Sequence, residues 1–139
     1  MISFEGFAPE DGSPIYLQIL RYIKRGVAAG TIRNGDELPS RRVLSALLGV
    51  NPNTVQKACR TLEDEGLLRS FAGSKSVMQL NEATIRAIRA ELMTAEALTA
   101  VRALQQMGIG RAEAMVLLEQ AWDTAEAQSS LADTQEATQ

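Results

Sequence analysis

Apolar residues between positions 40 and 62 recur at helical spacing in two short runs. The first run consists of Val43, Leu44, Leu47 and Leu48. The second run consists of Val55, Ala58, Cys59 and Leu62. Separations of three and four residues place the members of each run on one side of a helix, which packs that side against a core. Because Gly49 lies between the runs, we predict two helices joined by a tight turn.

Each predicted helix begins at a residue suited to that position. Ser40 precedes the first run, where a serine side chain accepts a hydrogen bond from a free backbone N–H of the first turn. Asn51 precedes the second run in the same way, and Pro52 follows it where a missing N–H has no consequence. Two helices joined this closely form a helix-turn-helix, in which the second helix presents its N-terminal residues to the DNA major groove.

The side of the second helix opposite its apolar run carries Asn53, Gln56, Lys57 and Arg60. Amide and cationic side chains of this kind hydrogen-bond to base edges and phosphates. A solvent-exposed helix surface has a similar composition, so this side alone does not show whether the helix binds DNA. The Pro52-Asn53-Thr54 start favours DNA, because polar side chains around the positive end of the helix dipole suit a phosphate or a base edge.

A small β-hairpin is predicted directly after the second helix. Gly66 ends that helix, and two alternating segments follow at residues 67–71 and 77–80. The Gly-Ser-Lys tip between them places Lys75 within reach of a phosphate, and Gly73 allows the backbone to approach a groove wall. Such a turn is common in ordinary hairpins, but its position behind a helix-turn-helix predicts a wing.

Four segments of the chain together resemble the GntR family of bacterial transcription regulators. They are Pro14–Ile19, Gly35–Arg42, Val50–Val55 and Leu62–Leu67. The Asn-Pro-Asn-Thr-Val form of the third segment resembles the YtrA-like subfamily. The resemblance implies a winged helix over residues 13–80, in which Arg42 contacts the DNA backbone, the start of the second helix reads the major groove and Gly73 approaches the minor groove.

The charge of the chain is divided unequally. The formal net charge is −3, but residues 1–80 hold ten Lys and Arg against eight Asp and Glu, whereas residues 81–139 hold four against nine. The positive charge thus coincides with the predicted reading helices, and repulsion holds the acidic part away from phosphates. We expect DNA contacts from Arg41, Arg42, Asn51, Pro52, Asn53, Thr54, Gln56, Lys57, Arg60, Gly73 and Lys75.

The region after the wing is predicted to be a helical hairpin at residues 81–128. Sequence rich in Ala, Leu, Glu and Arg runs to about Met107, is broken by Gly108-Ile109-Gly110 and resumes at Arg111. An isolated hairpin of this length buries too little surface to be stable alone. We expect a second copy to cover it, as the resemblance also implies; packing on its own DNA-binding domain would instead give a monomer. The expected dimer contacts are Ile85, Ile88, Leu92, Met115, Leu118 and Trp122.

The sequence contains few of the residues that usually act in catalysis. The chain has no histidine, and its single cysteine, Cys59, lies in the apolar run of the second helix. We therefore expect no enzyme activity, no cofactor and no metal. The lack of a signal peptide and of a membrane-spanning stretch predicts a cytoplasmic protein that does not bind a membrane. Residues 1–12 are expected to form a leader laid over the domain, and residues 129–139 a disordered tail.

Together these patterns predict a mostly α-helical fold with a small β-hairpin, in which an N-terminal winged helix-turn-helix precedes a C-terminal helical hairpin for dimerisation. The expected function is that of a sequence-specific transcription regulator, a homodimeric repressor that binds double-stranded DNA at an inverted-repeat operator. The alternative is a winged-helix module that binds other proteins. An unidentified small-molecule effector, a further option, would bind between the C-terminal helices or at the dimer interface around Trp122.

Overall fold

The computed structural model describes residues 1–73 and 75–138. Within them five helices and three short strands confirm the predicted mostly α-helical class. In chain order they are α1 (Ile15–Ala29), β1 (Glu37–Leu38), α2 (Arg41–Leu48), α3 (Pro52–Asp64), β2 (Leu68–Ser70), β3 (Ser76–Met78), α4 (Glu82–Gln106) and α5 (Arg111–Thr138). The chain divides into two compact units, one from Met1 to Met93 and one from Thr94 onward.

The caps that the sequence predicts at α2 and α3 are both present. The Val43 N–H donates to Ser40 Oγ at 3.2 Å, and the Asn53 N–H donates to Asn51 Oδ1 at 2.8 Å. Pro52 is the first residue of α3. These bonds satisfy backbone N–H groups that the first helical turn would otherwise leave without a partner. The helix-turn-helix prediction is therefore confirmed.

The turn between α2 and α3 is closed by both backbone and side-chain contacts. Gly49 has a φ of +65°, in the left-handed region that favours glycine. The Ser45 hydroxyl donates to the Val50 carbonyl oxygen at 2.6 Å, and the Val50 N–H donates to the Ser45 carbonyl oxygen at 3.2 Å. These bonds fix the direction in which α3 leaves the turn.

The apolar run of α3 is buried as predicted, but that of α2 is only partly so. In α3, the buried residues are Val55, Ala58, Cys59 and Leu62. In α2, Leu44 is fully buried and Leu48 is half-buried, whereas Val43 is exposed and Leu47 is 66% exposed. The prediction for Val43 and Leu47 is wrong, because this eight-residue helix meets the core along the single ridge formed by Leu44 and Leu48.

The wing is part of a three-stranded antiparallel sheet with the order β1-β3-β2. The predicted hairpin is present as β2 and β3, with shorter strands than expected and with Ser70 paired to Ser76 at its outer end. Ser74 of the predicted tip lies outside the described residues. β1 was not predicted, since a strand of two residues is too short to show an alternating pattern.

Residues at the start of the chain pack into the first unit. Ile2 and Phe4 are buried, and the Ile2 N–H donates to the Glu37 carbonyl oxygen of β1 at 2.8 Å. The Phe4 ring stacks on Tyr22 of α1 with the ring centroids 5.1 Å apart. This segment thus covers part of α1 and of the small sheet.

The first turns of α4 also belong to the winged-helix unit. Ile88 is only 5% exposed and lies in the core of this unit, and Ile85 and Leu92 pack against that core. The expectation that Ile88 contacts a second copy is corrected, because its apolar surface is already covered by its own unit. Ile85 and Leu92 are half-buried, and their contact with a second copy stays a prediction. Because Ile88 belongs to this core, the unit extends to Met93 rather than ending at Leu80.

The last helix is longer than the sequence predicts. We expected residues 129–139 to be disordered, but α5 continues to Thr138, and Gln139 lies outside the described residues. Residues 129–138 contain neither proline nor glycine, so no residue with a strong preference against helix interrupts them. In this second unit the apolar side chains of Met115, Leu118 and Trp122 are exposed.

The placement of Ile88 can be tested by truncating its side chain. Because Ile88 fills the core of the winged-helix unit, Ile88→Ala should lower the free energy of unfolding by about 2–5 kcal/mol. Met93→Ala is the matched control, since Met93 is exposed on the same helix. Urea unfolding measures both. Equal stability of the two variants, or a change confined to self-association, would contradict the assignment of Ile88 to this core.

Candidate nucleic-acid interface

The polar side of α3 faces away from the core of the first unit. Its buried run occupies one side of the helix, which leaves the other accessible. Asn53, Lys57 and Arg60 are exposed, and Thr54 and Gln56 are half-buried. The structure therefore places these five predicted contacts on one accessible surface, whose N-terminal end carries the positive end of the helix dipole.

The two asparagines at the start of α3 have different roles. Asn51 uses its side-chain oxygen to accept the Asn53 N–H, so its side-chain nitrogen is the group left to contact a ligand. The Asn53 side chain is exposed and projects from the first turn. Side-chain amides can bond to adenine in a bidentate manner, which makes Asn53 and Gln56 the best candidates for base recognition.

An aromatic contact orients Lys57. Its Nζ atom lies 4.0 Å from the centroid of the Tyr16 ring, at the start of α1. A cation held over an aromatic face is attracted by the ring quadrupole, so the ammonium group has a preferred position beside α3. Sequence reasoning did not identify this role of Tyr16, because helical spacing within one segment carries no information on contacts between α1 and α3.

The two adjacent arginines of α2 have different environments. Arg42 is exposed, as expected of a residue that contacts the DNA backbone. Arg41 instead forms an ion pair with Glu63 of α3, with 2.8 Å between Nη2 and Oε1, and its Nε atom is buried. Part of the Arg41 guanidinium is thus occupied within the protein, and a DNA contact from Arg41 stays a prediction.

The wing carries one cation and one glycine beside its tip. The Phe71 N–H donates to the Lys75 carbonyl oxygen at 2.7 Å, which closes the hairpin. Gly73 has a φ of +82°, so the tip requires a residue without a Cβ atom. Lys75 is exposed. Arg69, which was not among the expected contacts, lies on β2 with its guanidinium 5.1 Å from the Phe71 ring centroid.

Cys59 is a core residue. It is buried on α3, and burial raises the pKa of its thiol above the ordinary value. The hydrogen bond and the positive charge from Arg41 lower that pKa and the negative charge of Glu63 raises it, and the net pKa lies above the ordinary value. The thiol therefore stays protonated near neutral pH, where reactivity would require the thiolate.

Within residues 1–73 and 75–138, no group of three or more His, Cys, Asp and Glu side chains is arranged to hold a metal ion. No helix in the part of the chain that the structure describes is long and apolar enough to cross a membrane.

A capped helix behind a tight turn, followed by a β-hairpin, defines a winged helix-turn-helix protein. Residues 15–77 match the sequence model of the family described as bacterial regulatory proteins, gntR family. A solved YtrA from Sulfolobus acidocaldarius, described as a GntR-family transcription factor, is 35% identical with a TM-score of 0.50, and the match covers 68% of this chain and 99% of that chain. The chain belongs to the GntR family.

Two further relatives support the same assignment. The HTH-type transcriptional repressor YtrA of Bacillus subtilis is 38% identical over 76 residues, which are 55% of this chain and 58% of YtrA. A GntR family transcriptional regulator from Listeria monocytogenes has a TM-score of 0.70 at 26% identity, with 81% of this chain and 98% of that chain covered. The chain thus spans little more than half of the Bacillus repressor. These relatives are named as transcription regulators and not as enzymes.

The base-reading surface can be tested at Asn53 and Gln56. Asn53→Ala or Gln56→Ala should weaken binding to a preferred duplex by about 1–3 kcal/mol and relax sequence preference, because each removes bonds to base edges. Gln79→Ala is the control, since it removes an exposed amide outside α3. Fluorescence anisotropy with preferred and random duplexes measures the discrimination. Full discrimination by both α3 variants would refute the assignment.

Proposed function

We propose that this chain is a sequence-specific DNA-binding transcription regulator. The observation that carries the proposal is the accessible N-terminal face of α3, where an Asn51 cap, a proline at the first position and an exposed Asn53 side chain lie together. Such a helix end suits insertion into the major groove, because it offers hydrogen-bonding side chains without a bulky apolar residue.

Cations around this face supply the contacts that do not depend on sequence. Arg42 lies on α2, Lys57 and Arg60 lie on α3, and Lys75 lies at the wing. Contacts of Lys and Arg with phosphates release counterions and fix the register of a protein on the duplex. The expected division of roles is therefore reading by Asn53 and Gln56 and positioning by the four cations.

The proposed active form is a homodimer that binds an inverted repeat and acts as a repressor. Trp122 is 70% exposed on α5, and Leu118 and Met115 are exposed one and two turns before it, respectively. Apolar side chains repeating on one side of a helix require cover, and a second copy would supply it. A two-fold dimer presents two reading helices to half-sites about one helical turn apart, roughly 34 Å.

The second unit offers a candidate site for a small-molecule effector. An apolar groove of about 410 Å³ lies there and is lined by Val101, Leu104, Ile109, Met115 and Leu118, among others. Volumes of a few hundred Å³ are typical of small-molecule sites. A regulator of this kind acts on chromosomal DNA, so we also propose a cytoplasmic location.

A winged helix that binds other proteins is the second candidate. The observation in its favour is the exposed pair Val43 and Leu47 on α2, which forms an apolar ridge on the surface of the helix-turn-helix. A protein-docking ridge of this kind would work without affinity for a duplex. The two candidates therefore differ in their response to DNA and to salt.

Selection of bound fragments from random duplexes, followed by a salt titration, tests DNA binding. The logarithm of the affinity should fall linearly with the logarithm of the salt concentration, and Arg42→Ala should reduce the slope by about one counterion. Arg42→Lys is the control, since it keeps the charge and should keep the slope. Failure to enrich any sequence, with no duplex affinity at low salt, would favour the protein-binding candidate.

The dimer is tested at Trp122. Trp122→Lys should yield a monomer in sedimentation velocity and weaken binding to the inverted repeat roughly a hundredfold, because the second half-site then binds independently. Lysine can pair with Glu126, which now accepts the Trp122 indole N–H at 3.0 Å, so the helix is retained. Gln120→Lys on the same helix is the matched control. A dimer that survives Trp122→Lys unchanged would exclude Trp122 from the interface.

A further inference from the structure

Glu63, near the end of α3, joins three elements of the winged-helix unit. Its Oε1 atom accepts a hydrogen bond from Arg41 Nη2 of α2 at 2.8 Å. The same oxygen accepts a hydrogen bond from the Ser70 hydroxyl at the end of β2. A single carboxylate oxygen on the recognition helix is therefore shared between the first helix of the helix-turn-helix and the wing.

Glu63 contacts the wing at the base of the hairpin tip. Ser70 and Ser76 are paired across β2 and β3, and their hydroxyl oxygens lie 3.3 Å apart. This is the outermost paired position of the hairpin before its tip. Ser76 is buried, so this end of the ladder is tied to the protein interior. Because Glu63 contacts Ser70, it acts on the hairpin at the point from which the tip projects.

The ion pair with Arg41 holds the carboxylate in place. Arg41 is the first residue of α2, where the Ser40 cap fixes the backbone. The side chains of Arg41 and Glu63 are each roughly one-third exposed. An ion pair this exposed contributes little to overall stability. Its expected effect is geometric, since hydrogen bonds to charged groups are short and directional.

We propose that Glu63 is a positioning residue that holds the wing at a fixed offset from the recognition helix, so that Lys75 and the α3 surface reach the same duplex together. The inference rests on the proposed DNA binding. A preorganised wing contributes its contacts without first losing conformational freedom on binding. Without the Glu63 carboxylate, Ser70 loses its link to α3 and Lys75 is no longer held in register.

Double-mutant cycles on duplex affinity test this role. In the wild-type background, Lys75→Ala should weaken binding about tenfold, whereas in the Glu63→Ala background it should change binding less than about twofold. Asn53→Ala should weaken binding by the same factor in both backgrounds, because α3 itself is undisturbed. If Glu63 positions the wing, Glu63→Ala changes the effect of Lys75→Ala but not that of Asn53→Ala. A general loss of stability would change both effects.

Two controls separate geometry from charge. Asp64→Ala removes an adjacent, exposed negative charge that has no hydrogen bond to Arg41 or Ser70 among the described residues, and it should leave the Lys75→Ala effect intact. Glu63→Gln keeps an oxygen that can accept both bonds, so it should also retain most of the Lys75→Ala effect. Loss of that effect in either control would overturn the proposed role.

Ser70→Ala provides a second variant in case Glu63→Ala does not fold. It removes only the wing end of the contact, from an exposed side chain, and it should abolish the Lys75→Ala effect in the same way. Thermal unfolding checks that each variant is folded. A full Lys75→Ala effect in the folded Ser70→Ala protein would overturn the inference alone, whereas wild-type protein that binds no duplex would overturn the proposed function as well.

Discussion

Burial of the apolar side of α3 is the constraint on which the rest of the winged-helix unit depends. Val55 and Leu62 are two turns apart and have no exposed surface. A helix anchored at both points cannot rotate about its axis without moving large apolar side chains into water, each worth about 1.5–3 kcal/mol. The orientation of the accessible polar side is therefore fixed by the core, before any contact with a ligand forms.

The local signals in the sequence were sufficient to predict the helix-turn-helix. Caps at Ser40 and Asn51 and a turn at Gly49 depend on residues that are neighbours in the chain, so a single segment contains the necessary information. The orientation of the Arg41 side chain depends on its contact with Glu63, which is 22 positions away in the sequence. Neighbouring residues on a helix point in different directions, so adjacent arginines with the same chemistry can have separate roles.

Periodicity predicted which residues of α4 are apolar on one side, but not what covers them. Ile88 has the same spacing whether it faces its own core or a second copy, and only the folded chain distinguishes the two. The continuation of α5 through residues 129–138 was missed for a related reason. A polar composition is compatible both with a solvated helix and with disorder, because neither state buries apolar surface.

The bond between Ile2 and Glu37 has a consequence for the small sheet. A strand at the edge of a sheet has backbone groups free to pair with another chain, which makes edges prone to aggregation. The Ile2 N–H occupies the Glu37 carbonyl oxygen on the outer side of β1, and the buried Phe4 side chain lies beside it on Tyr22. The first residues thus cover an open sheet edge. A chain that lacks them would expose the backbone groups of β1 to pairing with other chains, while its recognition helix would be unchanged.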